Sequence, residues 1–99
     1  MKNIPSFQGS VSDIIRHHHE SWDGKGYPDG LAGKNIPIGA RIVAIVDSYH
    51  AMTSDRPYRK GMSDKEAVKR LQAGAGTQWD PDLTNKFIEI IHSTKNKHL

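Results

Sequence analysis

Between Asp23 and Gly33 the chain places Gly24, Gly26, Gly30 and Gly33 within eleven residues. Glycine permits left-handed backbone and close approach of other atoms, and it loses more entropy than other residues when ordered, so this stretch reads as a shaped loop. Tyr27-Pro28 inside it fixes an extended step and permits a cis bond. Composition alone allows either a tight connection between helices or a binding loop. Glycine-rich phosphate cradles usually sit at a strand-to-helix junction, and none is visible here.

On both sides of the loop apolar residues recur at helical spacing, and no segment sustains a two-residue alternation. The expected fold class is therefore all-α, with about four helices and one long glycine-rich loop. A first helix is expected over Val11 to Glu20, with Ser10 and Asp13 resembling a capping box and Val11, Ile14, Ile15 and His18 on one face. A second, over Gly39 to Ser54, carries Ile42, Ile45, Val46, Tyr49 and Met52 as one apolar stripe. The third opens at Ser63, which with Glu66 forms an S-x-x-E capping box, and closes at Gly74-Ala75-Gly76. The fourth takes Asp80 as cap and Pro81 as first residue, then buries Leu83, Phe87, Ile90 and Ile91 before the tail from Lys95 to Leu99.

These helices belong to a chain of 99 residues, room for one small domain. About a fifth of the residues are Leu, Ile, Val or Phe, close to the lower limit for folding, so the core should be thin and helped by a metal or another subunit. The absence of cysteine removes disulfides, thiolate zinc sites and cysteine nucleophiles. No apolar run is long enough to span a membrane, and MKNIPSFQGS lacks the core of a secretion signal, so a cytoplasmic location is expected. Fourteen basic residues face 11 acidic ones, a net charge of +3 with no long basic run, which identifies no ligand and gives no reason to expect DNA.

Chemistry concentrates in HHHESWDGKGYPDGLAG, from His17 to Gly33. Adjacent helical residues point about 100° apart, so His18 and His19 do not chelate one ion as an i, i+4 pair does, but each can serve one ion of a two-metal site. The same histidines serve equally as a partly solvated face. Asp47 lies about 140° from Ile42 on the helical wheel, with Val43 and His50 beside it, and so flanks the apolar stripe. A carboxylate there needs a cation, a donor or water, which metal ligation and an ordinary ion pair both satisfy. In RPYRK, the planar forks of Arg56 and Arg59 suit phosphate, although a solvated basic turn is an equal reading.

The ordered set HHE (His18 to Glu20), WDGKGYP (Trp22 to Pro28), ARIVAIVD (Ala40 to Asp47), RPYR (Arg56 to Arg59) and GTQWDP (Gly76 to Pro81) resembles the HD-GYP domain of the HD phosphohydrolase superfamily, over residues from about 7 to 91. Residues 1–99 then form a single partial domain with flexible ends at 1–6 and 95–99. The resemblance implies a helical, metal-dependent phosphodiesterase that opens cyclic di-GMP to pGpG or GMP. By position, it makes His18, His19 and Asp47 metal ligands, with iron or manganese as the metals. It assigns Arg56 and Arg59 to substrate phosphate, puts Gly26 and Tyr27 in the loop lining the nucleotide pocket, and gives Gly26, Tyr27 and Pro28 a second role in contacting GGDEF cyclase domains. The implied chemistry is metal-assisted hydrolysis, in which ions polarise the phosphodiester and activate a water while the arginines neutralise developing charge.

The same resemblance shows what this chain does not carry. A full domain of the family is nearly twice as long, and its earlier half holds the His-Asp dyad; no His-Asp dipeptide occurs here. The chain alone is therefore expected to be inactive and to take its remaining ligands from an N-terminal half or a second subunit. His50 stands where the family usually has aspartate, and a hydrogen bond to Asp47, an extra ligand and lost activity are all open. A non-catalytic adaptor that binds nucleotide or docks GGDEF domains through Gly26, Tyr27 and Pro28 is the alternative function.

Overall fold

A computed structural model describes the backbone of residues 11–96 and the side chains of 11–94. The expected Ser10 cap and both flexible ends lie outside these residues, apart from Lys95 and Asn96, whose backbone ends the last helix. The chain forms α1 (Val11–His17), α2 (Ile38–Thr53), α3 (Asp64–Gly74) and α4 (Pro81–Asn96), with a 3-10 turn at Gly33–Asn35. Among the described residues the only β features are isolated bridges, so the all-α expectation holds. No helix of the described residues is long and apolar enough to cross a membrane.

Local signals set most boundaries. The Ser63 hydroxyl accepts from the Glu66 amide at 3.2 Å and starts α3. Asp80 starts α4 by accepting from the amides of Asp82 (2.9 Å) and Leu83 (3.1 Å), with Pro81 in the first turn. Gly74 ends α3 where the Trp79 ring presses against it; a Cβ there would lie 2.4 Å from the ring. α1 departs from expectation by ending at His17, not Glu20. The His18 ring takes the carbonyl of Ile15, and the Glu20 amide closes a tight turn onto the His17 carbonyl at 3.0 Å, so the helical ladder stops there.

α2 is the central element, packing against α1, α3 and α4. Ile45 joins Val68, Leu71, Trp79 and Ile88 in the buried core, with Ala44, Tyr49, Met52, Leu83, Phe87 and Ile91 around it. The expected α2 stripe is corrected at two positions: Ile42 and Val46 remain 45% and 43% exposed. α3 and α4 cover the Ile45–Tyr49–Met52 line, while α1 meets α2 at Gly39, where the Ile14 side chain fills the space a Cβ would need. α1 likewise leaves Val11 and Ile15 exposed. On α4 the buried positions are Thr84 and Ile88, and Ile90 is 60% exposed; the face that meets α2 and α3 runs through Leu83, Phe87 and Ile91. Arg41 ties α2 to the start of α4, donating to Asp80 at 2.8 Å and to the Ile36 carbonyl at 2.9 Å.

Candidate functional site

A cleft of roughly 580 Å³ opens between the turn after α1, the middle of α2 and the α3–α4 connection. His18, His19 and Asp23 form one wall, Asp47 and Ser48 a second, and Thr77 and Gln78 a third. The third wall is fastened to the glycine loop by main-chain bonds from Trp22 N to the Gln78 carbonyl (3.0 Å) and from Asp23 N to the Thr77 carbonyl (2.8 Å). His18, His19 and Asp47, which lie about thirty residues apart in sequence, thus share one cavity.

The turn that succeeds α1 arranges the two imidazoles. Their ring centroids lie 4.0 Å apart. Nδ1 of His18 donates to the Ile15 carbonyl at 2.6 Å, which leaves Nε2 with its lone pair, the arrangement common among metal-bound histidines. The helix ends before these residues, so the two rings are not the adjacent helical positions that the sequence suggested. Asp47 is exposed on α2. Asp23 is held below the usual carboxylate range chiefly by the Lys25 amide and the Ser21 side chain. Among the described residues no lysine or arginine lines the cleft. Lys25 acts on Asp23 from outside the lining, but two imidazoles and two exposed carboxylates with no lysine or arginine among them attract a cation more than a bare phosphate, so the donor set fits a divalent metal.

The other anticipated residues lie around this cavity. Gly26 and Tyr27 do not line it; they stand behind His19. The Tyr27 ring stacks on the His19 ring, and the Tyr27 amide donates to the His19 carbonyl at 3.3 Å. Gly26 is pressed so closely on the same turn that a Cβ would lie 2.3 Å from Ser21 N and 2.5 Å from the His19 carbonyl oxygen. Pro28 comes next through a cis peptide bond and is exposed. Arg56 and Arg59 pair through their backbones in a turn after α2, outside the cleft lining, and Arg59 donates to the Ala51 carbonyl at its edge. His50 faces Ser54, whose hydroxyl lies 3.4 Å from its Nε2.

Sequence reasoning missed the cluster of His17, Glu20 and Asp29, whose ligand atoms lie within 4.8 Å of one another; among the described residues His18, His19 and Asp47 share the cleft without converging so closely. The buried Glu20 carboxylate accepts from the amides of Asp29 and Leu31, each at 2.9 Å, and lies 3.1 Å from Nδ1 of His17. Burial pushes the Glu20 carboxyl up, but hydrogen bonds from the Asp29 amide, the His17 ring and the Leu31 amide outweigh it and hold the group below its ordinary value. Arg16 does the same for Asp29 through a forked pair at 3.0 and 3.2 Å. The i, i+3 spacing of His17 and Glu20 was a visible signal; the closure by residues 29 and 31 was not.

The family model for the HD domain matches residues 1–83. The chain belongs to the HD-domain family. HD-domain relatives include a cyclic di-GMP phosphodiesterase of Pseudomonas aeruginosa, 44% identical over 82% of this chain and 19% of its own length. A cyclic di-GMP phosphodiesterase response regulator of Xanthomonas campestris is 47% identical over 76% of this chain and 20% of its own length. A 3'3'-cGAMP-specific phosphodiesterase of Vibrio cholerae is 39% identical over 80% of this chain and 15% of its own length. The chain thus spans about a fifth or less of these HD-domain relatives. In fold it matches the crystal structure of a cyclic GMP-AMP-specific phosphodiesterase of V. cholerae, with a TM-score of 0.73 at 24% identity, over 83% of this chain and 18% of that one. The HD-GYP resemblance read from the motifs falls within this family.

Proposed function

We propose that residues 1–99 form the C-terminal part of an HD-GYP domain that hydrolyses cyclic di-GMP to pGpG or GMP once a His-Asp-bearing half completes it. The observation that carries this function is the cleft shared by His18, His19 and Asp47 without a basic residue in its lining. In this reading these three side chains hold iron or manganese. When bound, the metal supplies Lewis-acid polarisation of the phosphodiester and a water acidic enough to attack. His18 offers Nε2 because its Nδ1 is committed to Ile15, and Asp47 offers a carboxylate facing the same cavity. Arg56 and Arg59, in the turn after α2, receive the phosphate and neutralise charge that builds on its oxygens. The exposed Ile15, Ile42 and Val46 support a further helical segment covering α1 and α2, from the same polypeptide or a second subunit.

The test joins this chain to the His-Asp half of an HD-GYP domain and tracks cyclic di-GMP and 3'3'-cGAMP hydrolysis with manganese or iron. Turnover of cyclic di-GMP that Asp47→Ala abolishes supports the assignment; unchanged turnover in that variant removes Asp47 as a ligand. Preference for 3'3'-cGAMP keeps the hydrolase and changes its substrate. A second reading, as an adaptor for GGDEF domains, is favoured by one observation: Tyr27 and Pro28 are exposed at the tip of a loop that is pinned at both ends. Calorimetry of the metal-free chain with a GGDEF domain tests it, and no heat of binding removes it.

A further inference from the structure

Glu20 joins the imidazole pair to the glycine loop. Its side chain is fully withdrawn from solvent, and both carboxylate oxygens are used: Oε1 accepts from the Leu31 amide, and Oε2 accepts from the Asp29 amide and the His17 ring. Among the described residues no other buried side chain accepts from the amides of this loop. The Arg16–Asp29 pair is half-exposed, and pairs of that kind hold weakly. With its glycines, the loop is costly to order, and the buried carboxylate supplies the fixed point that orders it.

The anchored loop then acts back on His19. Gly26 lies against the His19 carbonyl, the Tyr27 amide donates to that carbonyl, and the Tyr27 ring stacks on the imidazole at 5.0 Å. The direction in which the His19 ring points therefore depends on where residues 26 and 27 sit, and these are placed by the bonds that residues 29 and 31 make to Glu20. Resting on the metal assignment made above, we infer that Glu20 is a positioning residue. Although Glu20 borders the cleft, both its carboxylate oxygens are committed to the loop amides and the His17 ring, and through the loop it sets the His19 ring for ligation.

The experiment uses the full chain with manganese(II) as probe. Glu20→Gln keeps the size of the side chain but sets an amide N–H against the donor at Leu31 or against those at Asp29 and His17. The expected result is manganese affinity lowered about 10- to 100-fold, as for other groups that orient metal-bound histidines. Loss of the Tyr27 ring-current shift on the His19 ring protons should accompany it, in a variant that still unfolds cooperatively. A folded Glu20→Gln chain with wild-type affinity and an unchanged ring shift overturns the positioning role. A second measurement needs no variant. Coupling is reciprocal, so saturating manganese should slow hydrogen exchange at the Asp29 and Leu31 amides of the wild type. Unchanged exchange in a chain that binds manganese overturns the positioning role alone, whereas no manganese binding even after the chain is joined to a His-Asp half overturns the metal assignment and this role together.

Discussion

The ring of Tyr27 lies over that of His19 with centroids 5.0 Å apart and planes 17° from parallel. Because Tyr27 is 62% exposed, the contact contributes little to folding, and its value lies in holding the imidazole. Tyr27→Ala should cost about 1 kcal/mol or less in urea unfolding, while weakening manganese binding several-fold by calorimetry. Tyr27→Phe keeps the ring and should restore both.

Gly26 and Gly33 separate two reasons for using glycine. A Cβ at Gly26 meets backbone atoms of His19 and Ser21, which cannot move aside without displacing the turn, so Gly26→Ala should destabilise by about 3 kcal/mol. Gly33 has open space around it but a φ of +58°, so Gly33→Ala should cost only about 1 kcal/mol of backbone strain. Urea denaturation of the two variants checks the order.

Ile42 and Ile45 test the corrected face of α2. Ile45 is enclosed by the core, and Ile45→Ala should cost about 3 kcal/mol by loss of contacts and creation of a cavity. Ile42→Ala, at a half-exposed position, should cost under about 1 kcal/mol in the same chain. Equal losses in equilibrium unfolding would restore the single stripe expected from periodicity.

Much of the fold was legible because its signals are local. Ser63 with Glu66 and Asp80 with Pro81 announce helix starts through bonds to neighbours three residues away at most, and these form as expected. Which α2 residues are covered depends on where α3 and α4 land, and no helical period contains that, hence the exposed Ile42 and Val46. The end of α1 at His17 was hidden for a related reason, since the loop that displaces the helix is fastened by residues nine and eleven positions beyond Glu20. Spacing alone left His18, His19 and Asp47 ambiguous. The motif resemblance grouped them, and all three line one cleft. Glu20 was invisible as an anchor because a glutamate in a polar run looks solvated until its partners are placed.

Arg41 and Asp80 form an ion pair at 2.8 Å with little solvent access on either side. Removing only the cation leaves a buried carboxylate that still caps α4, so Arg41→Ala should destabilise by about 3 kcal/mol. Asp80→Asn retains a capping oxygen and should cost less. A double-mutant cycle in urea measures the coupling.

Tyr49 supplies an alkaline limit. Burial first, and then its hydrogen bond to Asp64, push the phenol from 10.0 up to about 12. The folded state thus favours the protonated phenol: its stabilisation is complete below pH 10 and lost as pH rises through about 12. The stability advantage of the wild type over Tyr49→Phe should shrink across that interval, as read from unfolding midpoints. An advantage that stays constant with pH contradicts the assignment.

The wall at Thr77 and Gln78 joins the loop through its carbonyl groups, which every amino acid possesses. Residue 78 is therefore a position where diversity is inexpensive: its side chain can be exchanged to retune ligand preference while the frame that carries it stays assembled, a natural starting point for directed evolution of selectivity.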